Sequence, residues 1–203
     1  MMHRKELEKE ARKKDILEAA LHLFAEKDFH EVTVDEIAEH VGLSKGTLYL
    51  YFKNKENLFF SIIQEKTRVL FSRVQSSIQS DAPYLKRLEN YIRCHLSFFE
   101  EHQHYFKIIH SEKSRMDDRH RDRLKSHMVK SFHDYENLLQ KFVIEGQKQG
   151  IFRKIPPETI TKALRGLLNS FTFQCIFIGS KSSLVEETPH VLDLFLNGVQ
   201  VHE

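Results

Sequence analysis

The chain has 203 residues, enough for one ordinary domain or a small domain fused to a larger one, and enough to bury roughly 70% of its unfolded surface without a disulfide or metal staple. Hydrophobic residues at 40%, charged residues at 30%, seven Gly and four Pro fit long helices and argue against a disordered chain or an all-β sandwich. Two cysteines, Cys94 and Cys175, are too few for a secreted framework and suit a reducing cytosol, and a net charge of +2 carries no global signal for nucleic acid or acidic lipid.

The first fourteen residues set six Lys/Arg against three Glu and hold no apolar stretch, so no signal peptide is expected. The most apolar tract, residues 170–178, is far short of the ~20 residues a membrane span needs; the expected location is the cytoplasm. Helical periodicity runs nearly end to end, with no convincing strand. Ile16, Ala19, Ala20, Leu23 and Phe24 share one face of a first helix over about 6–27, with Asp28 at the left-handed cap position. Thr33 and Glu36 make a capping box for a second helix, which buries Val34, Ile37, Ala38 and Val41 and stops at Gly42. Ser44 caps a third helix over 45–52, pinned inward by Leu48 and Phe52. Asn54 caps a fourth, with Phe59, Ile62, Ile63, Lys66, Val69 and Leu70 on one side.

Beyond about residue 80 the helices lengthen. Leu85, Leu88, Ile92, Leu96 and Phe99 stripe one that ends near Glu101, and a short one holds 105–109. The longest stripe runs from Leu124 through Tyr135, Leu139 and Phe142 to Gly146, closed by Gly150. Pro157 suits the first position of the next helix, which reaches about Ile178. Thr188-Pro189 starts the last, with Val191, Leu194, Phe195, Gly198 and Val199 on its apolar side.

Residues 33–52 therefore read as helix, tight turn, helix, the unit that lays its second helix in a DNA major groove. The outer face of that helix carries Lys45, Thr47, Tyr49 and Tyr51, which hydrogen-bond well to phosphates or base edges. Gly46 lowers helix stability by ~1 kcal/mol relative to Ala, and close backbone approach to DNA gives it a reason. The helix starts at Thr33 and Asn54 present amide N–H groups suited to phosphate oxygens. Tyr49 has a second reading, packing against the first helix, and Leu50 fits either a thymine methyl or a merely exposed site.

The stretch 15–66, DILEAALHLFAEKDFHEVTVDEIAEHVGLSKGTLYLYFKNKENLFFSIIQEK, resembles the N-terminal DNA-binding domain of TetR-family transcriptional regulators. Its densest part runs from TVDEIA through VGLSKGTLYLYFKNKE; Asp28 departs from the family's usual Gly. The resemblance implies an all-α fold, with an N-terminal three-helix helix-turn-helix DNA-binding domain over 1–56 and a C-terminal helical ligand-binding and dimerisation domain over 57–203. It implies a homodimer on palindromic double-stranded operator DNA, a repressor, and a small-molecule effector. Carried over by position, Ser44, Lys45, Gly46 and Thr47 lie at the groove, Tyr49 and Tyr51 meet the DNA backbone, and Thr33 and Lys55 anchor phosphates.

The C-terminal helices are rich in aromatics with a few polar tips, and a hydrophobic or aromatic effector is expected near Tyr91, His95, Phe132, Tyr135 and Gln174. The last two helices are apolar on more than a core stripe, so Leu164, Leu167, Leu168, Phe171, Leu192, Phe195 and Leu196 are expected at the dimer interface, where Ala163, Gly166 and Ser170 permit close helix approach. Two alternatives are weighed. A metal-dependent enzyme draws on thirteen His, on His102 and His104, and on Asp117, Asp118, His120 and Asp122, but none has the ligand spacing of a catalytic zinc site. A non-specific architectural DNA binder lacks only a sequence-specific footprint. No catalytic residue, cofactor or metal is expected.

Overall fold

The computed structural model describes the backbone of residues 2–27, 29–115, 118–179 and 183–198, and their side chains except at 2–3 and 111–132. Among the described residues the regular structure is helical, with no strand: α1 (Met2–Glu26), α2 (Val34–His40), α3 (Lys45–Tyr49), α4 (Lys55–Ile78), α5 (Tyr84–Glu101), α6 (Gln103–Arg115), α7 (Asp118–Lys148), α8 (Pro157–Phe173) and α9 (Thr188–Asn197). A π-helical turn, Gln174–Gly179, follows α8, and a 3-10 turn, Leu184–Glu187, precedes α9. The chain divides into two compact units, Met1–Thr67 with His104–Met128, and Arg68–Gln103 with Val129–Glu203, so the division falls inside α4 and α7 and at the first residue of α6.

In the first unit the apolar face of α1 (Ile16, Ala20, Leu23, Phe24) closes on Ile37 and Ala38 of α2, Leu48 and Phe52 around α3, and Leu58, Phe59, Ile62 and Ile63 of α4, all buried. Phe24, Phe29 and Phe59 form a triangle with ring centroids 5.3–5.5 Å apart, and edge-on rings at this spacing add about 0.5–1.5 kcal/mol per pair beyond their area. The helix starts follow the expected chemistry. Thr33 Oγ1 accepts the Glu36 N–H at 3.1 Å, while Lys27 first, with the Thr33 amide, holds the Glu36 carboxylate below its ordinary range. Asn54 Oδ1 accepts from the Asn57 N–H at 2.8 Å. Asp28 lies outside the described residues.

Gly42 makes the turn between α2 and α3. Its φ of +66° is strained for any side chain. Its N–H reaches the Glu39 carbonyl at 3.0 Å while the Leu43 N–H reaches Ala38 at 2.8 Å, the paired bonds that satisfy the last carbonyls of a helix and stop it.

In the second unit α5 buries Tyr84, Leu88, Tyr91, Ile92, His95, Leu96, Phe98 and Phe99. Here the sequence-based stripe needs correcting: Leu85 is 48% exposed, and Tyr84 takes the inward place. The Tyr84 ring stacks on Phe142 at 4.4 Å and its hydroxyl donates to the Phe142 carbonyl at 2.9 Å. That combination suits the amphipathic tyrosine better than leucine, because a buried hydroxyl must find an acceptor. Pro157 occupies the first turn of α8 as expected. The α-helix ends at Phe173, however, and residues 174–178 are π-helical rather than its continuation. The wider turn leaves Phe173, Phe177 and Ile178 exposed, with the two Phe rings 4.7 Å apart.

Candidate functional site

Ser44 organises the third helix. Its Oγ accepts the Thr47 N–H at 3.2 Å and bonds the Thr47 hydroxyl at 2.8 Å. The α-helix is shorter than the expected 45–52: it stops at Tyr49, and the amides of Tyr51 and Phe52 both turn back to the Leu48 carbonyl. Shared acceptors of this kind mark a tightening helix end, and they still bury Leu48 and Phe52 while leaving the other face open. On that open face Lys45 and Gly46 are exposed, Thr47 and Tyr51 half-buried, Tyr49 45% exposed and Leu50 79% exposed. A Cβ on Gly46 would meet nothing closer than the Ser44 Oγ at 3.9 Å, so nothing described within the chain demands glycine there.

Two lysines depart from simple solvent exposure. Lys45 Nζ is paired with Asp35 of α2 at 2.7 Å, both side chains more than half exposed. Such a pair contributes at most ~1 kcal/mol, so a phosphate or guanine edge displaces Asp35 readily. Asp35→Asn is expected to tighten DNA binding several-fold in a fluorescence-anisotropy titration at low salt, by freeing Lys45 and removing a negative charge; weaker binding would instead make Asp35 a positioning group. Lys55, expected at a phosphate, is turned inward. Its ammonium donates to the carbonyls of Phe29 at 2.6 Å and Val32 at 2.8 Å, and lies 4.5 Å from the Phe29 ring centroid. In this arrangement the side chain ties the α1–α2 connection to the start of α4. Thr33 is exposed at the head of α2.

Of the residues expected around the effector, the second unit brings together Tyr91, His95 and Tyr135. The hydroxyls of Tyr91 and Tyr135 are 3.2 Å apart. His95 is 5% exposed, its ring 4.9 Å from that of Phe99, and neither ring nitrogen has a hydrogen-bond partner among the described residues. Burial, with the Arg165 charge assisting, lowers its pKa to about 3. Gln174 lies elsewhere, exposed on the π turn, and the Phe132 side chain lies outside the described residues.

The His95 shift has a definite sign. Between pH 6.5 and about 3 the unfolded chain carries a proton on this ring that the folded chain refuses. Stability from this group is complete above pH 6.5 and is lost on acidification, by up to about 1.4 kcal/mol per pH unit. Urea melts at pH 7, 6 and 5 are expected to fall more steeply for the native chain than for His95→Phe; equal slopes would place the ring in water.

The expected dimer residues divide into two groups. Leu164 and Leu168 are buried within the chain, at 3% and 0% exposure. Leu167, Phe171, Leu192, Phe195 and Leu196 are half-buried. Phe195 packs edge-on to Phe152 at 5.6 Å. The outward row of α8 is instead Ala163, Gly166 and Ser170, continued by Phe173 and Phe177, all exposed. No sequence signal marks the change from an α to a π turn that leaves these two Phe outside.

Other polar clusters are less suited to an effector. A groove of about 470 Å³ between α4 and α5, broadly open to solvent, is lined by Ser72, Arg73, Ser76, Asn90, Arg93, Cys94 and Ser97. His102 packs on Phe98 and His104 on His22, and among the described residues no three His, Cys, Asp or Glu groups gather to hold a metal. The side chains of Asp117, Asp118, His120 and Asp122 lie outside the described residues. No described helix is long and apolar enough to cross a membrane.

A capped helix-turn-helix in an all-helical chain defines the class: a helix-turn-helix DNA-binding transcription regulator. Residues 16–62 match the family described as bacterial regulatory proteins, tetR family, and residues 81–172 match the tetracyclin repressor-like C-terminal domain. The chain belongs to the TetR family. It is similar to the fatty acid metabolism regulator protein of Bacillus subtilis, with 26% identity over 185 residues, 91% of this chain and 93% of that one. Its fold is similar to that of the transcriptional regulator FadR of Bacillus subtilis in complex with stearoyl-CoA, with a TM-score of 0.78 and 26% identity, covering 92% of this chain and 99% of that one. The fold of the fatty acid degradation regulator FadR of Bacillus halodurans is also close, with a TM-score of 0.81 at 24% identity, covering 94% and 97% of the two chains.

Proposed function

We propose that this protein is a cytoplasmic repressor that binds palindromic operator DNA as a homodimer and releases it when a hydrophobic small molecule enters the C-terminal domain. Residues 1–56 serve as the DNA-binding domain and 57–203 as the effector and dimerisation domain. Ser44, Lys45, Gly46, Thr47, Tyr49 and Tyr51 meet the groove, with the head of α2 at Thr33 on a phosphate. The observation that carries this reading is the partition of 44–52: Leu48 and Phe52 are buried, while every side chain suited to DNA is accessible.

A two-fold pair on the outward row of α8 and its π turn covers Phe173 and Phe177, and Leu167, Phe171, Leu192 and Leu196 complete that face. Such symmetry calls for half-sites about one DNA turn apart, ~34–36 Å. The effector class is a long acyl chain, supported by the similarity to a regulator whose structure holds stearoyl-CoA. It acts by binding one arrangement of the protein better than the other, since only differential affinity shifts the equilibrium.

Selection of bound DNA from a random pool, followed by footprinting with and without stearoyl-CoA, tests the proposal. An inverted repeat released by stearoyl-CoA is the expected result. Binding without sequence preference would make the protein an architectural DNA binder, and a specific footprint indifferent to acyl-CoA would remove the effector class.

A further inference from the structure

The second unit contains a buried polar ring with no hydrogen-bond partner among the described residues. His95 lies on the inward face of α5, 5% exposed, among Tyr91, Phe99 and Tyr135. A neutral imidazole offers one N–H donor and one lone-pair acceptor, and neither is used by the described residues. Buried polar groups are nearly always hydrogen-bonded, because leaving them unpaired is destabilising. The adjacent hydroxyls do not relieve it: Tyr91 and Tyr135 bond each other at 3.2 Å. The nearby Arg165 guanidinium, 5.8 Å from the Tyr135 ring, is paired with Glu136, and its charge disfavours a proton on His95.

We propose that the effector carries an uncharged oxygen, a carbonyl or a hydroxyl, that docks on His95, with the apolar remainder of the molecule lying along the aromatic core. This rests on the reading of the C-terminal domain as an effector site, and it adds the headgroup chemistry. The cluster is built from neutral donors and acceptors, so an uncharged oxygen pairs with the ring without bringing a charge into an apolar core. A free carboxylate fits less well. It would either remain charged beside a neutral ring or require the ring to take up a proton. With the pKa lowered to about 3 by burial and by Arg165, proton uptake at pH 7 weakens binding by about ten-thousand-fold before any gain from pairing.

The test measures three C18 probes, stearoyl-CoA, octadecan-1-ol and stearate, by calorimetric or fluorescence titration of the full chain. Wild-type protein is expected to bind stearoyl-CoA and octadecanol more tightly than stearate. His95→Phe is expected to weaken the first two at least ten-fold, while the unliganded variant melts no lower than wild type because an unpaired polar ring has been removed. His95→Gln, which keeps a donor and an acceptor, is expected to retain part of the affinity; it also carries the comparison if His95→Phe does not fold. Unchanged affinity of His95→Phe for stearoyl-CoA overturns the inference, the ring then holding at most a buried water, and leaves the effector reading standing. Tighter binding of stearate, with imidazolium ¹⁵N shifts at His95, overturns it in favour of an anionic head. Binding of none of the probes by folded wild-type protein removes the acyl effector class itself and the inference with it.

Discussion

Protein with Lys45, Thr47 and Tyr51 all changed to Ala is expected to bind its selected operator at least about a hundred-fold more weakly, with its melting temperature nearly unchanged. Each good base or phosphate contact contributes on the order of 1–3 kcal/mol, so three lost together exceed that threshold even if they overlap. Folding is spared because the fixed side of the helix is made by Leu48 and Phe52, both buried, while the three replaced side chains point the other way. The Ser44 cap on the Thr47 amide does not involve the Thr47 side chain and survives the change. The triple variant also loses one cation, so its logarithmic salt slope is expected to flatten by about one. Anisotropy titrations at several salt concentrations measure both quantities. Undiminished affinity and selectivity would place DNA recognition elsewhere on the molecule.

Gly146→Ala is the second change with a large expected effect, and it acts through the fold. A Cβ at this position would stand 2.4 Å from the Tyr84 hydroxyl and 2.8 Å from a Phe152 ring carbon. Tyr84 has little freedom to retreat: it is 4% exposed, stacked on Phe142, edge-on to Phe152 at 5.7 Å, and bonded to the Phe142 carbonyl. Arg87 lies beside the same ring, 5.4 Å from its centroid, and pairs with Glu145. Alanine gains about 1 kcal/mol of helix propensity over glycine, but overpacking a dense core costs about 1–3 kcal/mol, occasionally more. A net loss of up to about 2 kcal/mol is expected in urea melts, with a thermal midpoint lower by several degrees. The loss is expected to shrink by at least half in a Tyr84→Leu background, since the two sites touch. A stabilised Gly146→Ala would mean that Tyr84 has room to move.

What was legible in the sequence was local. Ser44, Thr33, Asn54, Gly42 and Gly150 start or stop helices through bonds to residues within a turn or so, Pro157 through its fixed φ, and a single chain states those rules directly. The buried side of the helix-turn-helix was equally plain, because Leu48 and Phe52 stand four apart. The backbone contacts of Lys55 were not legible because its carbonyl partners lie 23 and 26 residues earlier, beyond any periodic window, and a lysine at a helix start looks the same whether it faces water or backbone. Leu85 was preferred to Tyr84 since hydropathy ranks leucine higher, whereas the acceptor that rewards the tyrosine belongs to α7. The π turn was invisible for a related reason: a run such as QCIFIG suits either winding, and tertiary surroundings choose. His95 was picked out as one polar tip among many aromatics; that no described residue partners it is visible only in the assembled core.

The inward ammonium of Lys55 has a mechanical consequence. It stands in the first turn of α4, a helix that runs on past the division of the chain, and it grips the strap of backbone before α2 at Phe29 and Val32. Anchor point and strap therefore travel together, since one ammonium holds both. Methionine there, which keeps the stem but drops the grip, should loosen the strap and lower the melting temperature slightly while the buried core of that unit stays in place.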